Sequence, residues 1–383
     1  MAVPTIPIIK PLMDEAEADA ARRVILSGWV TQGPEVAAFE KEFCAFTGAP
    51  YACAVSNCTT ALHLALLVAG VKAGDEVITV SHSYIATANA VTYCGARPVF
   101  VDIDRDTFNI DPEAVVAAIT PRTRALLVVH QMGLPCDLAR LSEIAAAHGL
   151  RLIEDAACAI GSEILHEGDW RRIGRPQGDV ACFSFHPRKV MSTGDGGMLT
   201  TRDPEMDRQF RLLRQHGMSV PDLARHGAAQ VVFEEHPVIG YNYRMTDIQA
   251  AVGRVQLTRL PDIVARRRAL ASRYTALLAD ANGLRPPSEP AWARSNWQSY
   301  CVRLPEGADQ RSVMQHMLDA GIATRRGIMC SHREAAYRTD DYAGRLPRSE
   351  AAQDGSIILP LFHQMTDAEQ ERVVAELKAA IRA

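Results

Sequence analysis

Between about residue 50 and residue 200, short apolar runs alternate with longer amphipathic segments. Strands that are apolar throughout, with helices between them, are typical of a parallel sheet covered on both faces, whose ligands bind at the carboxyl ends of the strands. The polar segment Glu167–Gly178 predicts a loop or a small hairpin. The predicted strands are Tyr51–Val55, Glu76–Thr79, Arg97–Val101, Ala125–Val129, Arg151–Glu154 and Val180–Ser184, and the helices between them include Thr59–Ala69, Pro112–Ile119 and Leu138–His148.

The remainder of the chain predicts a second, smaller unit. A helical pattern covers Thr246–Leu278, and several prolines interrupt it shortly afterwards. A strand-like run, Ser299–Leu304, and a helix near Arg311–Ala320 follow, and a capping box at Thr366 begins the last helix. Since 383 residues exceed the usual size of one domain, we predict a large domain over residues 1–250 and a small one over residues 251–383. Packing of the first 25 residues or so on the small domain is left open.

The composition of the chain argues against several classes of protein. The formal net charge of -4 and the absence of a Lys/Arg cluster argue against nucleic-acid binding. No apolar stretch approaches the roughly 18–20 residues that span a membrane. Nine cysteines, an odd number without a C-x-x-C spacing, argue against a disulfide framework and against structural zinc. With an N-terminus unlike a signal peptide, these features predict a cytoplasmic enzyme without a metal.

A lysine follows the last predicted strand of the alternating region. The segment from Ala181 to Thr200 reads ACFSFHPRKVMSTGDGGMLT, in which Lys189 comes just after the strand end and glycines then turn the chain into a second short strand. Desolvation at such a place lowers the pKa of a lysine and frees its amine to form a Schiff base. The alternative is that Lys189 is a solvated loop residue.

Two other strand ends carry polar side chains that suit the same cofactor. The strand Arg151–Glu154 runs into Asp155, where a carboxylate could keep a pyridinium nitrogen protonated; the alternative is a helix N-cap. The strand Tyr51–Val55 leads into a helix whose free N–H groups, with the hydroxyls of Thr59 and Thr60, suit a phosphate; the alternative is an ordinary cap. No GxGxxG or P-loop motif is present. Together, the three strand ends predict a pyridoxal phosphate site.

Motifs spread over nearly the whole chain carry a resemblance to a known family. They are SGWVTQGPEVAAFE from Ser27, SNCTTALHLAL from Ser56, GDEVITVSHSYIAT from Gly74, GARPVFVDID from Gly95, IEDAA from Ile153, FSFHPRK from Phe183, GYNYRMTDIQAA from Gly240 and LPRSE from Leu346. The chain resembles the DegT/DnrJ/EryC1/StrS sugar aminotransferases, within the fold-type I pyridoxal phosphate enzymes. The resemblance implies an α/β fold: a large domain with a mostly parallel seven-stranded sheet flanked by helices, and a smaller α+β C-terminal domain.

The resemblance also implies roles for individual residues. Lys189 matches the lysine that holds the cofactor and then carries the proton between cofactor and substrate, so it is the expected catalytic residue. Asp155 matches the partner of the pyridinium nitrogen. Tyr84 falls where the family has an aromatic ring stacked on the cofactor, although a core tyrosine is the alternative.

The remaining expected cofactor contacts concern the phosphate and the neighbouring subunit. Asn242 matches an asparagine that reaches the phosphate from the other subunit, which implies a homodimer with a shared active site. Arg244 could contact a substrate phosphate or carboxylate, or be structural. The phosphate-binding positions within the chain are occupied by Thr59, Thr60 and Ser184.

The sequence departs from the family pattern at several positions. Cys158 stands where the family usually has Gln or His in contact with the ring hydroxyl, and a thiol is a weak hydrogen-bonding group. Cys58 replaces a common glycine, and Gln131 and Met132 differ from the commoner form. The segment TRRGIMCSHRE from Thr324 also departs, and because that region lines the substrate pocket in relatives, we expect an unusual sugar.

The resemblance predicts a reaction in two stages. L-Glutamate, or L-glutamine in some relatives, donates its amine to the cofactor, and the amine then passes to a keto-sugar carried on a nucleoside diphosphate. A keto-cyclitol acceptor is the nearest alternative. A sugar dehydratase would have histidine in place of Lys189, and a non-catalytic regulatory relative would have lost Lys189 or Asp155.

Overall fold

A seven-stranded sheet is the centre of the computed structural model, which describes residues 5–220, 230–231, 233–281, 283–342 and 344–382. The strand order in this sheet is β1-β9-β8-β5-β4-β2-β3, and only β9 runs against its neighbours. The first nine strands of the chain are β1 (Tyr51–Val55), β2 (Glu76–Val80), β3 (Arg97–Val101), β4 (Thr123–Val129), β5 (Arg151–Asp155), β6 (Glu163–His166), β7 (Asp169–Arg172), β8 (Val180–Ser184) and β9 (Gly197–Thr201).

The structure confirms the predicted strands of this sheet. All six lie in it, and their ends differ from the prediction by no more than two residues: β4 begins at Thr123, β5 continues to Asp155 and β2 to Val80. The short strand predicted after the glycines is β9. The mostly parallel seven-stranded sheet and the α/β class are therefore confirmed.

Helices cover the sheet, and local sequence sets their ends. Asp14, Thr246 and Thr366 each begin a helix with a reciprocal capping box, as predicted for Thr366. Among the described residues, no helix is both long and apolar enough to cross a membrane. The α-helices described are α1 (Glu15–Ser27), α2 (Pro34–Thr47), α3 (Cys58–Val68), α4 (Ala86–Tyr93), α5 (Pro112–Ala118), α6 (Leu138–His148), α7 (Pro204–Leu213), α8 (Asp247–Leu278), α9 (Gln310–Asp319), α10 (Pro347–Asp354) and α11 (Asp367–Ala380).

The polar segment Glu167–Gly178 contains the tip of a hairpin. Strands β6 and β7 pair, and the two residues between them, Glu167 and Gly168, both have positive φ angles, of 52° and 87°. Such a two-residue turn matches the twist of paired strands. β10 (Ala293–Arg294) adds a third strand beside β6.

A second hydrophobic cluster forms beyond the middle of α8. It surrounds a small sheet made of β11 (Tyr300–Arg303), β12 (Arg325–Arg326) and β13 (Ser356–Leu359), and it includes Tyr274 of α8. Ile6 belongs to this cluster and pairs with Ile322. The predicted division at residue 250 falls at the start of one continuous helix, α8, and remains a prediction.

Four phenylalanine rings pack beneath the strand that leads to Lys189. Phe43 of α2 lies 5.1 Å from Phe183 and 5.9 Å from Phe185 between ring centroids, and Phe39 lies 5.5 Å from Phe185. All four side chains are fully buried. The edge-to-face geometry of the two Phe43 contacts adds to the stabilisation that comes from burial.

We expect Phe43→Ala to lower the free energy of unfolding by about 3–5 kcal/mol, because it removes a ring from a close-packed core and leaves a cavity. The midpoint of urea unfolding measures this change. Leu318→Ala is the matched control, since Leu318 is 60% exposed and its truncation should change stability by no more than about 0.5 kcal/mol. Equal midpoints for the two variants would contradict the expected role of the ring cluster.

Candidate active site

A cavity of about 740 Å³ opens at the carboxyl ends of the strands. The residues that follow β1, β2, β5 and β8 meet there, as expected for a parallel sheet. The structure thus brings together side chains that are far apart in sequence. Of the predicted site residues, Thr59, Thr60, Tyr84, Asp155, Ser184 and Lys189 line this cavity.

Lys189 lies in a turn just after β8. The turn is held by a bond from the Lys189 N–H to the His186 carbonyl, at 2.8 Å, and by Gln298 Nε2, which donates to the Arg188 carbonyl at 2.6 Å. Lys189 is half-buried, and its Nζ donates to Cys158 Sγ at 3.1 Å. The side chain is therefore directed into the cavity, and Lys189 is not a solvated loop residue.

The pKa of Lys189 shifts in the direction opposite to the one predicted. Burial acts to lower the pKa of the amine, as the sequence argument predicted. The neighbouring Cys158, Cys58 and Asp155 act in the opposite direction, since negative charge on them favours the ammonium form, and the net shift is upward. The predicted lowering is therefore wrong for the chain alone, because the sequence did not reveal the acidic groups around the amine.

Asp155 is a buried carboxylate with few partners. It is 5% exposed; Oδ2 accepts from Thr87 Oγ1 at 2.8 Å, and Oδ1 accepts from the Ala157 N–H at 3.2 Å. Within the described residues it forms no ion pair, and burial raises its pKa above the ordinary carboxyl value. No helix begins at Asp155, so the N-cap alternative is wrong.

The preceding residue, Glu154, points to the opposite face of β5, as strand geometry requires. Its Oε1 accepts from the N–H groups of Gln177 and Gly178, and its Oε2 lies 3.1 Å from His130 Nε2. His130 Nδ1 accepts from the Cys136 N–H, which leaves the ring proton on Nε2 to donate to Glu154. Glu154 thus takes part in three hydrogen bonds, whereas Asp155 accepts two.

The start of α3 forms another wall of the cavity. Asn57 caps the helix: its side chain accepts from the Thr60 N–H at 2.9 Å, and Thr60 Oγ1 donates to the Asn57 carbonyl at 2.7 Å. The ordinary cap is therefore present, and Thr59 lines the cavity beside it. A Cβ at Gly197 would lie 2.5 Å from the Asn57 carbonyl carbon, so glycine is needed for β9 to approach this turn.

Two predicted site residues lie on the outer surface. Tyr84 lines the cavity but is 71% exposed, which excludes the alternative of a core tyrosine. Asn242 is exposed, pairs with Gln215 and does not line the cavity of its own chain. Arg244 pairs through its backbone with Val55 and does not line the cavity either.

Several lining residues were missed or only partly anticipated by the sequence argument. Thr87, which donates to Asp155, lies in the motif that contains Tyr84, but nothing in a sequence pattern indicates that contact. Arg188 adjoins Lys189 and was not singled out. Arg325 lies in the departing segment that begins at Thr324, so that segment did locate part of the cavity wall.

Comparisons with known proteins agree with this geometry. A sequence profile of the DegT/DnrJ/EryC1/StrS aminotransferase family matches residues 11–378. The chain belongs to this family. The structure of the aminotransferase TlmJ from Streptoalloteichus hindustanus is similar at 36% identity, covering 99% of each chain, with a TM-score of 0.90.

Two further solved structures extend the comparison. Spr1654 from Streptococcus pneumoniae in its PLP form is 29% identical over 99% of each chain, with a TM-score of 0.89. A 3-amino-5-hydroxybenzoic acid synthase is 31% identical over 100% of each chain, also with a TM-score of 0.89. This member of the DegT/DnrJ/EryC1/StrS family is a pyridoxal-phosphate-dependent aminotransferase with the fold-type I architecture, as predicted.

Proposed function

We propose that the chain moves an amino group from L-glutamate or L-glutamine to the keto group of a sugar carried on a nucleoside diphosphate. The observation that carries the proposal is the joint presence of the Lys189 amine and the buried Asp155 carboxylate in one cavity of about 740 Å³. That volume falls in the range of small-molecule sites, about 300–1,000 Å³. We also place the enzyme in the cytoplasm, in keeping with nine free cysteines.

The residues present fit pyridoxal phosphate. A buried carboxylate without a cationic partner suits a protonated ring nitrogen, and Asp155 is such a group. Ser184 and Thr59 lie beside the N-terminus of α3, where free N–H groups favour a phosphate. The exposed ring of Tyr84 offers a face for stacking.

The chain's own residues have separate tasks in the proposed reaction. When bound, pyridoxal phosphate supplies the carbonyl that receives the amine and a ring that accepts electrons from the substrate carbon. Asp155 keeps the ring nitrogen protonated through its negative charge. Lys189 would hold the cofactor through its Nζ, and the same Nζ, when free, would take and return the proton that moves during transamination.

A second acceptor class is a keto-cyclitol. Two observations favour keeping it: the chain is 31% identical to a protein whose name describes an aromatic, non-sugar product, and the segment from Thr324 departs from the frequent family form. Incubation of the amine-loaded enzyme with a keto-cyclitol and with a nucleotide-linked keto-sugar, each followed by mass spectrometry, distinguishes the two classes.

An absorbance spectrum of the purified protein tests the function. We expect a band near ~420 nm that moves toward ~330 nm when L-glutamate is added, since Schiff-base chemistry requires both forms. Absence of the first band after loading with pyridoxal phosphate would contradict the proposal. A band that responds to neither L-glutamate nor L-glutamine would contradict the proposed donors.

We further propose a homodimer in which Asn242 completes the active site of the neighbouring subunit. Three observations support this: Asn242 is exposed, it lies away from its own cavity, and the same segment carries Phe233 and Ile239, which are 87% and 89% exposed. Contiguous exposed apolar patches are typical of surfaces that another protein covers, and these side chains lie in one short segment.

Mixed dimers test the sharing of sites. Lys189→Ala and Asn242→Ala chains, each of low activity alone, should regain about a quarter of wild-type activity when unfolded and refolded together, because one site of each mixed dimer then has both native residues. Activity per chain measures the recovery, and self-mixed variants are the controls. No recovery, or a fully active Asn242→Ala enzyme, would contradict the shared site.

The contact between Lys189 and Cys158 leads to a pH prediction. Because the contact with Cys158 Sγ raises the pKa of the Lys189 amine, Cys158→Ala should lower that pKa. The free amine is the reactive form, so the rate at which cofactor-free protein takes up pyridoxal phosphate should reach half its maximum at a lower pH. Stopped-flow absorbance measures it, with Cys94→Ala as the control; an unchanged midpoint would show that the thiol does not act on the amine.

A further inference from the structure

The segment between β10 and β11, residues 295–299, joins the second hydrophobic cluster to the cavity. We call it the connecting segment. Trp297 belongs to the second cluster, and its ring lies 5.6 Å from that of Tyr300 between centroids. Its neighbour Gln298 lines the cavity that contains Lys189. Adjacent residues of one short segment therefore contact the small sheet and the active site.

The backbone of the connecting segment is strained and firmly held. Trp297 has a φ angle of 55°, a left-handed conformation that bulky residues rarely adopt. Arg267 of α8 is buried, and its Nε and Nη2 donate to the carbonyls of Trp297 and Gln298 at 2.8 and 2.7 Å. Such a conformation persists only where the surrounding structure determines it. The shape of the segment is thus fixed from the side of α8.

Two side-chain amides of the connecting segment hold backbone turns at the cavity. Asn296 is fully buried, and its Nδ2 donates to the carbonyls of Cys158 and Ile160, each at 2.8 Å. Gln298 is 8% exposed, and its Nε2 donates to the Arg188 carbonyl at 2.6 Å. Since a carbonyl can only accept, the nitrogen of each amide must face it. Asn296 Oδ1 also accepts from the Gln298 N–H at 2.8 Å, which links the two amides.

These two turns carry the side chains that meet inside the cavity. Asn296 holds the carbonyl of Cys158, Gln298 holds the carbonyl that precedes Lys189, and Lys189 Nζ donates to Cys158 Sγ at 3.1 Å. A lysine amine stands on a flexible four-carbon stem, so its place depends on where the backbone is held. A misplacement of about 1 Å can cost about 10²-fold in rate.

We propose that the connecting segment sets the Lys189 amine against Cys158, with Asn296 and Gln298 as positioning residues. The inference rests on the proposed role of Lys189 in the reaction. It adds that the second hydrophobic cluster determines the geometry of the amine, through two buried amides that belong to one rigid segment.

Gln298→Met tests the proposal in the cofactor-free protein, because methionine keeps the side-chain length and lacks the N–H donor. The contact with Cys158 Sγ raises the pKa of the Lys189 amine. Its loss should therefore lower the pH at which pyridoxal phosphate uptake reaches half its maximal rate, by on the order of 1 pH unit. In a Cys158→Ala background the same substitution should cause no further shift, since the contact is already absent. Stopped-flow absorbance measures both midpoints.

Gln370→Met is the matched control. Gln370 is also buried, its Nε2 donates to the Leu270 carbonyl at 2.9 Å, and it does not line the cavity. Among the described residues, its Oε1 has no hydrogen-bond partner, and neither has that of Gln298. The control should lower the thermal midpoint as Gln298→Met does, but leave the pH midpoint of uptake at the wild-type value. A merely structural role of Gln298 would give the same pair of results.

A second substitution and a second measurement keep the test decisive. Gln298→Asn withdraws the amide by one carbon and should shift the pH midpoint in the same direction, even if methionine disturbs folding. Reaction of Lys189 with acetic anhydride, followed against pH by mass spectrometry, reports the midpoint of the amine without pyridoxal phosphate. Wild type that takes up no cofactor would contradict the role of Lys189, whereas the labelling would still decide the role of the connecting segment. The proposal is overturned if the Gln298 variants keep the wild-type midpoint, or if they shift it equally with and without Cys158.

Discussion

Lys189→Ala is expected to remove the absorbance band near ~420 nm and to reduce transamination by at least about 10²–10⁴-fold, the usual contribution of a positioned proton-transfer group. The structure gives the physical reason: the Lys189 amine is the one whose Nζ contacts Cys158 inside the cavity, and its turn is fixed by bonds to His186 and from Gln298. Single-turnover kinetics with L-glutamate, together with the spectrum, measures both effects.

Lys72→Ala provides the control for this variant, because Lys72 is an exposed lysine that does not line the cavity. Lys72→Ala should retain the absorbance band near ~420 nm and the transamination rate of the wild type. Circular dichroism should be the same for both variants, since Lys189 contributes little to the core. A Lys189→Ala protein that still forms the band would place the attachment at another lysine.

Asp155→Asn is expected to reduce transamination by on the order of 10²-fold or more, as removal of a preorganised charge does in other active sites. The same substitution should stabilise the cofactor-free protein, because a buried carboxylate without a cationic partner is costly. The thermal midpoint, with and without pyridoxal phosphate, measures the second effect. Pyridoxal phosphate should raise the thermal midpoint of the variant by less than it raises that of the wild type.

The raised pKa of Asp155 also gives the sign of a pH effect. The folded chain binds this proton more tightly than the unfolded chain, so the stability of the cofactor-free wild type falls as the pH rises from the ordinary value of 3.8 through the raised pKa. Asp155→Asn lacks this dependence. Equal pH profiles for wild type and variant would contradict the uncompensated charge.

Glu154→Gln is the matched control one residue away. Glu154 accepts two backbone N–H bonds and faces His130, so its loss should destabilise the protein with and without cofactor, by about 1–3 kcal/mol. It should leave the stabilisation by pyridoxal phosphate unchanged. A similar response of both variants to the cofactor would mean that Asp155 has no special relation to the ring nitrogen.

The sequence was sufficient for the sheet but not for the contacts between its loops. Strands such as β1 and β8 are short, apolar throughout and separated by helices, and those patterns are local. The hairpin β6–β7 was only half predicted, because its turn and β7 lie in the polar segment while β6 precedes it. The pairing of Ile6 with Ile322 joins distant parts of the chain and has no local pattern.

The same limit applies to the candidate site. Lys189 and Asp155 follow recognisable strands, and parallel topology alone brings their strand ends together. The thiol of Cys158 beside the amine, the hydroxyl of Thr87 on the carboxylate and the guanidinium of Arg325 depend on side-chain directions that spacing does not reveal. Cys158, together with Cys58 and Asp155, reversed the expected pKa shift of Lys189.

The long helix α8 has a mechanical consequence. Its first residue, Asp247, binds the N–H groups of Gly33, Glu35 and Val36 and so caps α2, whereas Tyr274, near its other end, lies in the second hydrophobic cluster. At about 1.5 Å per residue, the helix is a stiff rod of about 48 Å that is clamped at both ends. A movement of the second hydrophobic cluster toward the cavity therefore requires α8 to bend. We expect the bend at Pro261, which interrupts the hydrogen bonding of the helix.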